Sequence, residues 1–203
     1  MVYVLGEGHS WIVLVGNVDL DGDVGDWKRI NLMDWNDKVT VKKGNLAEEL
    51  VDNHIESMGY IPYHPKKCDK PHPFDRLCAS PDKKYIYIAE SKGKARRTYY
   101  PDSGIDIKNY EEYCYIENNF NIQTYIYFVD EDNKKIYGNF LYQLRMPRPI
   151  LYNGKWLEYP IRQKGIIYFP IDSMEIICSI NDEAANKLKR LSSRNYPYLR
   201  EKG

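Results

Sequence analysis

Apolar and polar positions along the chain change period several times, and the changes mark out short strands with a few helices between them. Apolar runs at residues 1–5 and 11–15, and the β-branched Val39-Thr40-Val41, predict short strands before residue 44. From Gly44 the period becomes helical. Ala47, Val51, Ile55 and Met58 form the stripe to be buried, Asn45 is placed to cap the start with Glu48 closing a capping box, and Gly59 supplies a left-handed stop. Glu49, Asp52 and Glu56 fall on the wet face, whereas Glu48 leans towards the protein and needs a partner there. His54, along the same side, reads as a core or supporting histidine.

Residues 60–64 predict a strand cut by Pro62, hence at a sheet edge. Residues 73–79 and 85–89 predict a hairpin around Ser80, Pro81, Asp82 and Lys83. A turn at 101–104 precedes a second helix, capped by Asp106 and reaching about residue 119, with Ile107, Tyr110, Tyr113, Cys114 and Glu117 near one face. Strands at 122–129 and 135–141 follow, joined by a turn at 130–134. The remainder reads as proline-punctuated coil at 146–149, strands at 165–169 and 174–178, and a helix from Asn181 or Asp182 to Leu191. No chemistry is visible in this last part; covering a sheet edge, reading a substrate and forming a homodimer are all open to it.

Composition narrows the picture only a little. A chain of 203 residues suits one domain. The 29 basic and 29 acidic residues cancel, so attraction to nucleic acid has to come from a local patch. Without an apolar run long enough to span a bilayer or a signal-peptide pattern, the sequence predicts a soluble, cytoplasmic protein with no membrane partner. The four cysteines are scattered and read as free thiols. Asp19, Asp21 and Asp23 read as a solvated turn rather than a calcium loop, and His64, Cys68, His72 and Cys78 meet no standard zinc spacing.

The candidate chemistry lies in the hairpin. Asp75 is on the first arm and Glu90 and Lys92 on the second; alternation puts Glu90 and Lys92 on one face, where a neighbouring strand brings Asp75 beside them. Two carboxylates and an ammonium suit a hard divalent cation and phosphodiester hydrolysis, although a lone Glu-x-Lys triplet is equally explained by a surface ion pair. Lys83, Lys84, Lys92, Lys94, Arg96 and Arg97 make residues 83–97 the densest basic stretch, with Lys84, Lys94, Arg96 and Arg97 as candidate phosphate contacts and Tyr99 and Tyr100 as candidate stacking platforms. For Glu48 the wheel alone leaves two roles, the cap and a metal contact.

Helix with an inward glutamate, strand, Asp-bearing strand, Glu-x-Lys strand, helix, strand: over residues 44–142 this order resembles the PD-(D/E)xK nuclease superfamily. The Gly44, Glu48, Val51, Ile55, Gly59 pattern is similar to the opening helix of its Holliday-junction-resolvase-like branch. The resemblance implies an α/β restriction-endonuclease-like core, a central mixed sheet flanked by helices, with a β-rich extension at 1–43 and an α+β extension at 143–203. It implies Mg2+ or Mn2+ held by Asp75, Glu90 and the Ser91 carbonyl, with Glu48 as a direct or water-mediated ligand and Lys92 beside the attacking water. DNA is then the substrate, with RNA left open, in a setting of defence, repair, recombination or phage biology. The chain departs from the pattern in placing Pro73 two residues before the aspartate. A nucleic-acid-binding module that keeps the fold without catalysis is the competing reading.

Overall fold

The computed structural model describes residues 2–7, 10–15, 28–31, 38–65, 74–93, 97 and 99–192. Asp19, Asp21, Asp23, Cys68, His72, Pro73, Lys94 and Arg96 lie outside them. Strands β1 (Val2–Glu7), β2 (Ser10–Val15) and β3 (Lys28–Asn31) pair antiparallel in the order β1-β2-β3.

Helix α1 runs Val39–Ser57, so the β-branched triplet at 39–41 forms its first turn and not a strand. Its N-cap is Lys38, which corrects the expected cap at Asn45 and dissolves the capping box with Glu48. Packing accounts for the earlier start. Lys43 is buried and donates to Glu131 Oε1 at 2.6 Å, and this tie to the end of β8 outweighs the weak local preference of valine and threonine for strands. The buried stripe is Lys43, Ala47, Val51 and Ile55; Met58, expected in it, is 43% exposed. Gly59 ends the helix at a φ of 79°.

Next come β4 (Ile61–Tyr63), β5 (Arg76–Ala79), β6 (Ile86–Lys92) and β7 (Asp102–Asp106), then α2 (Ile107–Phe120), β8 (Thr124–Asp130), β9 (Lys135–Phe140) and the short α3 (Leu141–Leu144). Asp106 holds the N-cap position of α2 without a side-chain capping bond. The chain closes with β10 (Arg148–Tyr152), β11 (Lys155–Tyr159), β12 (Ile161–Gln163), β13 (Ile166–Pro170), β14 (Glu175–Ser179) and α4 (Asp182–Arg190), where the Asn181 side chain accepts from the Ala184 amide at 2.8 Å.

The central sheet is six-stranded and mixed, in the order β14-β9-β8-β6-β5-β4, and within it only β6 and β8 are parallel. A parallel pair needs a long crossover, which β7 and α2 provide. Pro62 sits on edge strand β4, where a missing amide costs least. Segment 143–203 supplies the other edge, β14, and helix α4.

Alternation along β6 and β8 divides the core into two layers. Tyr87, Ala89, Tyr127 and Val129 face α1 and α4, packed on Ala47, Val51, Ile55, Ala185 and Leu188. Ile126 and Phe128 face the other way, onto Tyr113 of α2, Leu141 and Leu144 of α3, and Ile167 and Phe169 of β13. Both faces are therefore covered by helices. Three expectations are corrected in the second half. Residues 102–104 belong to β7, paired with β13, rather than to a turn; 148–152 is a strand rather than coil; and β11 and β12 lie where no strand was expected.

Candidate active site

Strand β5 meets β6 in antiparallel register, Arg76 opposite Ala89 and Ala79 opposite Ile86. The register extended past Arg76 brings Asp75, at the open end of the hairpin, level with Glu90. The two residues interlock there: the Asp75 amide donates to Glu90 Oε2 at 3.2 Å, and the Ser91 amide donates to Asp75 Oδ2 at 2.9 Å. In a strand the N–H and C=O of one residue point to the same side, so the Ser91 carbonyl also faces the Asp75 edge.

Glu90 is 2% exposed and takes a hydrogen bond from the Lys92 ammonium, two residues along the same face. Tyr113 of α2 is buried close enough to Glu90 for the two groups to act on each other's ionisation. Burial, then the charge of Asp75, pushes the Glu90 carboxyl above its ordinary pKa, against the opposing pull of Lys92 and Tyr113. Burial works against the Lys92 ammonium, but Glu90, then Asp75 and Asp106, outweigh it and hold its pKa above the ordinary value. Tyr113, raised by burial and then by Glu90, stays a neutral donor.

Glu48 arrives from the other layer. Helix α1 packs on the face of Tyr87 and Ala89, whereas Glu90 and Lys92 project from the opposite face, so Glu48 approaches the cluster around the end of the sheet. Its carboxyl is pushed up to about 7 by burial and then by the negative charge of Asp75, with Glu90 and Asp52 adding to this and Arg76 opposing it. Among the described residues no three side chains of His, Cys, Asp or Glu are gathered closely enough to hold an ion. Glu90 is engaged by Lys92, and Asp75 by the Ser91 amide. Of the four side chains expected around one hollow, Asp75, Glu90 and Lys92 are joined by hydrogen bonds, and Glu48 lies near enough for Asp75 and Glu90 to raise its carboxyl.

The helix approaches β6 closely because residue 93 has no side chain. A Cβ on Gly93 would stand 3.0 Å from Ala47 Cβ and 3.2 Å from the Lys43 carbonyl oxygen. Gly93 thus lets the start of α1, with Glu48, lie directly over the end of the Glu-x-Lys strand.

Of the candidate phosphate contacts, Lys84 and Arg97 are among the described residues. Lys84 is in the hairpin turn, its side chain 84% exposed beside Asp82, and six strand residues at about 3.3 Å each put it ~20 Å from Glu90. A hairpin carries its turn and its open end at opposite extremes, so Lys84 is close to Glu90 in sequence and far from it in space. Arg97 is committed to the protein itself: both ends of its guanidinium donate to fully buried Asp102, Nη1 donates to Gln163 Oε1 at 2.9 Å, and the plane lies 3.8 Å from the Tyr168 ring centre and 4.1 Å from that of Tyr100. Tyr99 is 79% exposed and Tyr100 40%.

Reasoning from sequence missed Arg76, Asp52 and the part played by Tyr113. Arg76 is fully buried. Its Nη1 donates to Ser91 Oγ at 2.6 Å, and its Nε stands 2.7 Å from Asp52 Oδ1, in an ion pair whose angle falls short of a hydrogen bond. Asp52, assigned to the wet face, is therefore half-buried against the sheet, with His64 Nε2 3.2 Å from its other oxygen. Alternation was the available signal: Arg76 shares a face with Cys78, and Cys78 belongs to the core under α1. Among the described residues no helix is long and apolar enough to cross a membrane.

No protein-family model matches the chain, and no curated protein matches it. Among solved structures the chain is similar to Hjc, a Holliday junction resolvase from the archaeal hyperthermophile Archaeoglobus fulgidus, at 11% identity and a TM-score of 0.43, over 70% of this chain and 99% of that one.

Proposed function

We propose that this chain is a nuclease that hydrolyses DNA phosphodiester bonds, with Mg2+ or Mn2+ held by Asp75, Glu90 and the Ser91 carbonyl and with Glu48 joining directly or through water. The observation that carries the reading is the interlocking of Asp75 and Glu90 across the open end of the hairpin, with the Lys92 ammonium on the same carboxylate. The donor set suits the ion. All the groups are hard oxygens; Glu48 and Glu90 are raised first by burial and then by neighbouring carboxylate charge, and a divalent cation offsets that charge. Such an ion, when bound, lowers the pKa of a coordinated water and offsets charge on the phosphate.

The chain's own residues do the rest. Tyr113 holds Glu90 in place from the α2 side, and the Ser91 amide holds Asp75 from the strand edge. Lys92 keeps its proton at Nζ and, with one N–H donated to Glu90, offers its remaining donors to the attacking water or to the phosphoryl oxygens. None of these groups reads a base, so any preference for sequence or branched structure belongs to other surfaces. RNA carries the same phosphodiester and is tested beside DNA.

One observation favours the second reading, a non-catalytic binding module: Lys92 occupies Glu90, and the three carboxylates are not drawn together. The two are separated by incubating plasmid, linear, single-stranded and branched DNA, and an RNA, with the protein in Mg2+ and in Mn2+, beside Glu90→Ala and Lys92→Ala. Cleavage reduced at least about 100-fold in both variants is expected. Equal cleavage by all three proteins would reject this site, and tight binding without cleavage would favour the module.

A further inference from the structure

Burying a guanidinium is costly, and an apolar side chain at position 76 would pack under α1 without that cost. Arg76 is nonetheless 0% exposed, with Asp52 at its Nε and Ser91 Oγ at its Nη1, while Nη2 has no hydrogen-bond partner among the described residues. The position of its one side-chain hydrogen bond is informative. Ser91 separates Glu90 from Lys92, so its side chain lies on the α1 face while theirs lie on the α2 face. Its peptide is the one part of the triplet reached from both directions: Arg76 grips the hydroxyl from the α1 layer, and Asp75 Oδ2 takes the amide hydrogen at the strand edge. Rotation of that peptide would move the Ser91 carbonyl, loosen Asp75 and shift the flanking Glu90 and Lys92 together.

We propose that Arg76, anchored by Asp52, is a positioning residue that fixes the Ser91 peptide from behind the sheet and so sets the cation-holding geometry of Asp75, Glu90 and the Ser91 carbonyl. The inference rests on the proposed function, because it concerns how that site is held. Groups that orient metal ligands through one intervening contact are worth about 10- to 100-fold in metal affinity. An arginine that merely fastens α1 to β5 would leave that affinity unchanged.

The test is calorimetric titration of Mn2+ into the full chain, wild type beside Ser91→Ala, Ser91→Thr and Arg76→Lys, with thermal unfolding of each metal-free protein. Ser91→Ala removes a single oxygen and leaves Arg76 in place; it is expected to weaken Mn2+ binding about 10-fold or more. Ser91→Thr keeps the hydroxyl on a residue suited to strands and is expected to bind within about threefold of wild type. Arg76→Lys keeps the charge but loses the forked geometry, and is expected to weaken binding like Ser91→Ala. Wild-type binding matched by Ser91→Ala would overturn the positioning role alone. No Mn2+ binding by the wild type would overturn the metal site and this inference with it.

Discussion

Glu48→Gln removes a carboxyl that both burial and neighbouring charge keep from ionising. The Glu48 carboxyl is pushed from 4.5 up to about 7, burial first and then Asp75. Below about pH 4.5 the group is protonated in folded and unfolded chains alike, and it contributes nothing to the pH dependence of stability. Between pH 4.5 and about 7 the unfolded chain ionises more readily, so the contribution favouring the fold is lost progressively; above about 7 the loss is complete. At full weight that displacement corresponds to about 3 kcal/mol. Glu48 is only partly buried, and solvent screening reduces the figure to about 1–2 kcal/mol. The amide keeps the shape and cannot ionise. Urea denaturation in metal-free buffer is therefore expected to give equal stabilities near pH 4.5 and a variant more stable by about 1–2 kcal/mol at pH 8. Adding Mg2+ at pH 8 should stabilise the wild type more than the variant, because the ion offsets the Glu48 charge that the amide lacks. A difference between the two proteins that does not change with pH, or a variant less stable at pH 8, would refute the reasoning.

Lys43→Met should cost about 3–5 kcal/mol in the same assay, since it strands buried Glu131, whose Oε2 already has no hydrogen-bond partner among the described residues; pairing it with Glu131→Leu should recover most of the loss. Gly93→Ala places a methyl against Ala47 and the Lys43 carbonyl, and a loss of about 1–3 kcal/mol by thermal unfolding is expected, accompanied by weaker Mn2+ binding as Glu48 is pushed away. Lys84→Ala, at the far end of the hairpin, should leave DNA affinity and its salt dependence unchanged in a fluorescence-anisotropy titration; a slope reduced by about one would place DNA across the turn.

The chain's own patterning determined its local elements and the reactive end of the hairpin. The β-branched and aromatic run at 85–89, the turn residues at 80–83 and the stop at Gly59 each depend on chemistry within a few residues, and they place Asp75, Glu90 and Lys92 together because antiparallel register follows from the turn. Tertiary structure decided what that chemistry cannot reach. The start of α1 moved back to Val39 as Lys43 found Glu131 at the end of β8, and segment 102–104 became a strand when β13 offered its amides and carbonyls. Arg97 turned inward to the buried carboxylate of Asp102, and Asp52 left the wet face for Arg76. In each case a charged or backbone group met a partner distant in sequence, and a buried charge or amide must be paired wherever the fold brings the partner.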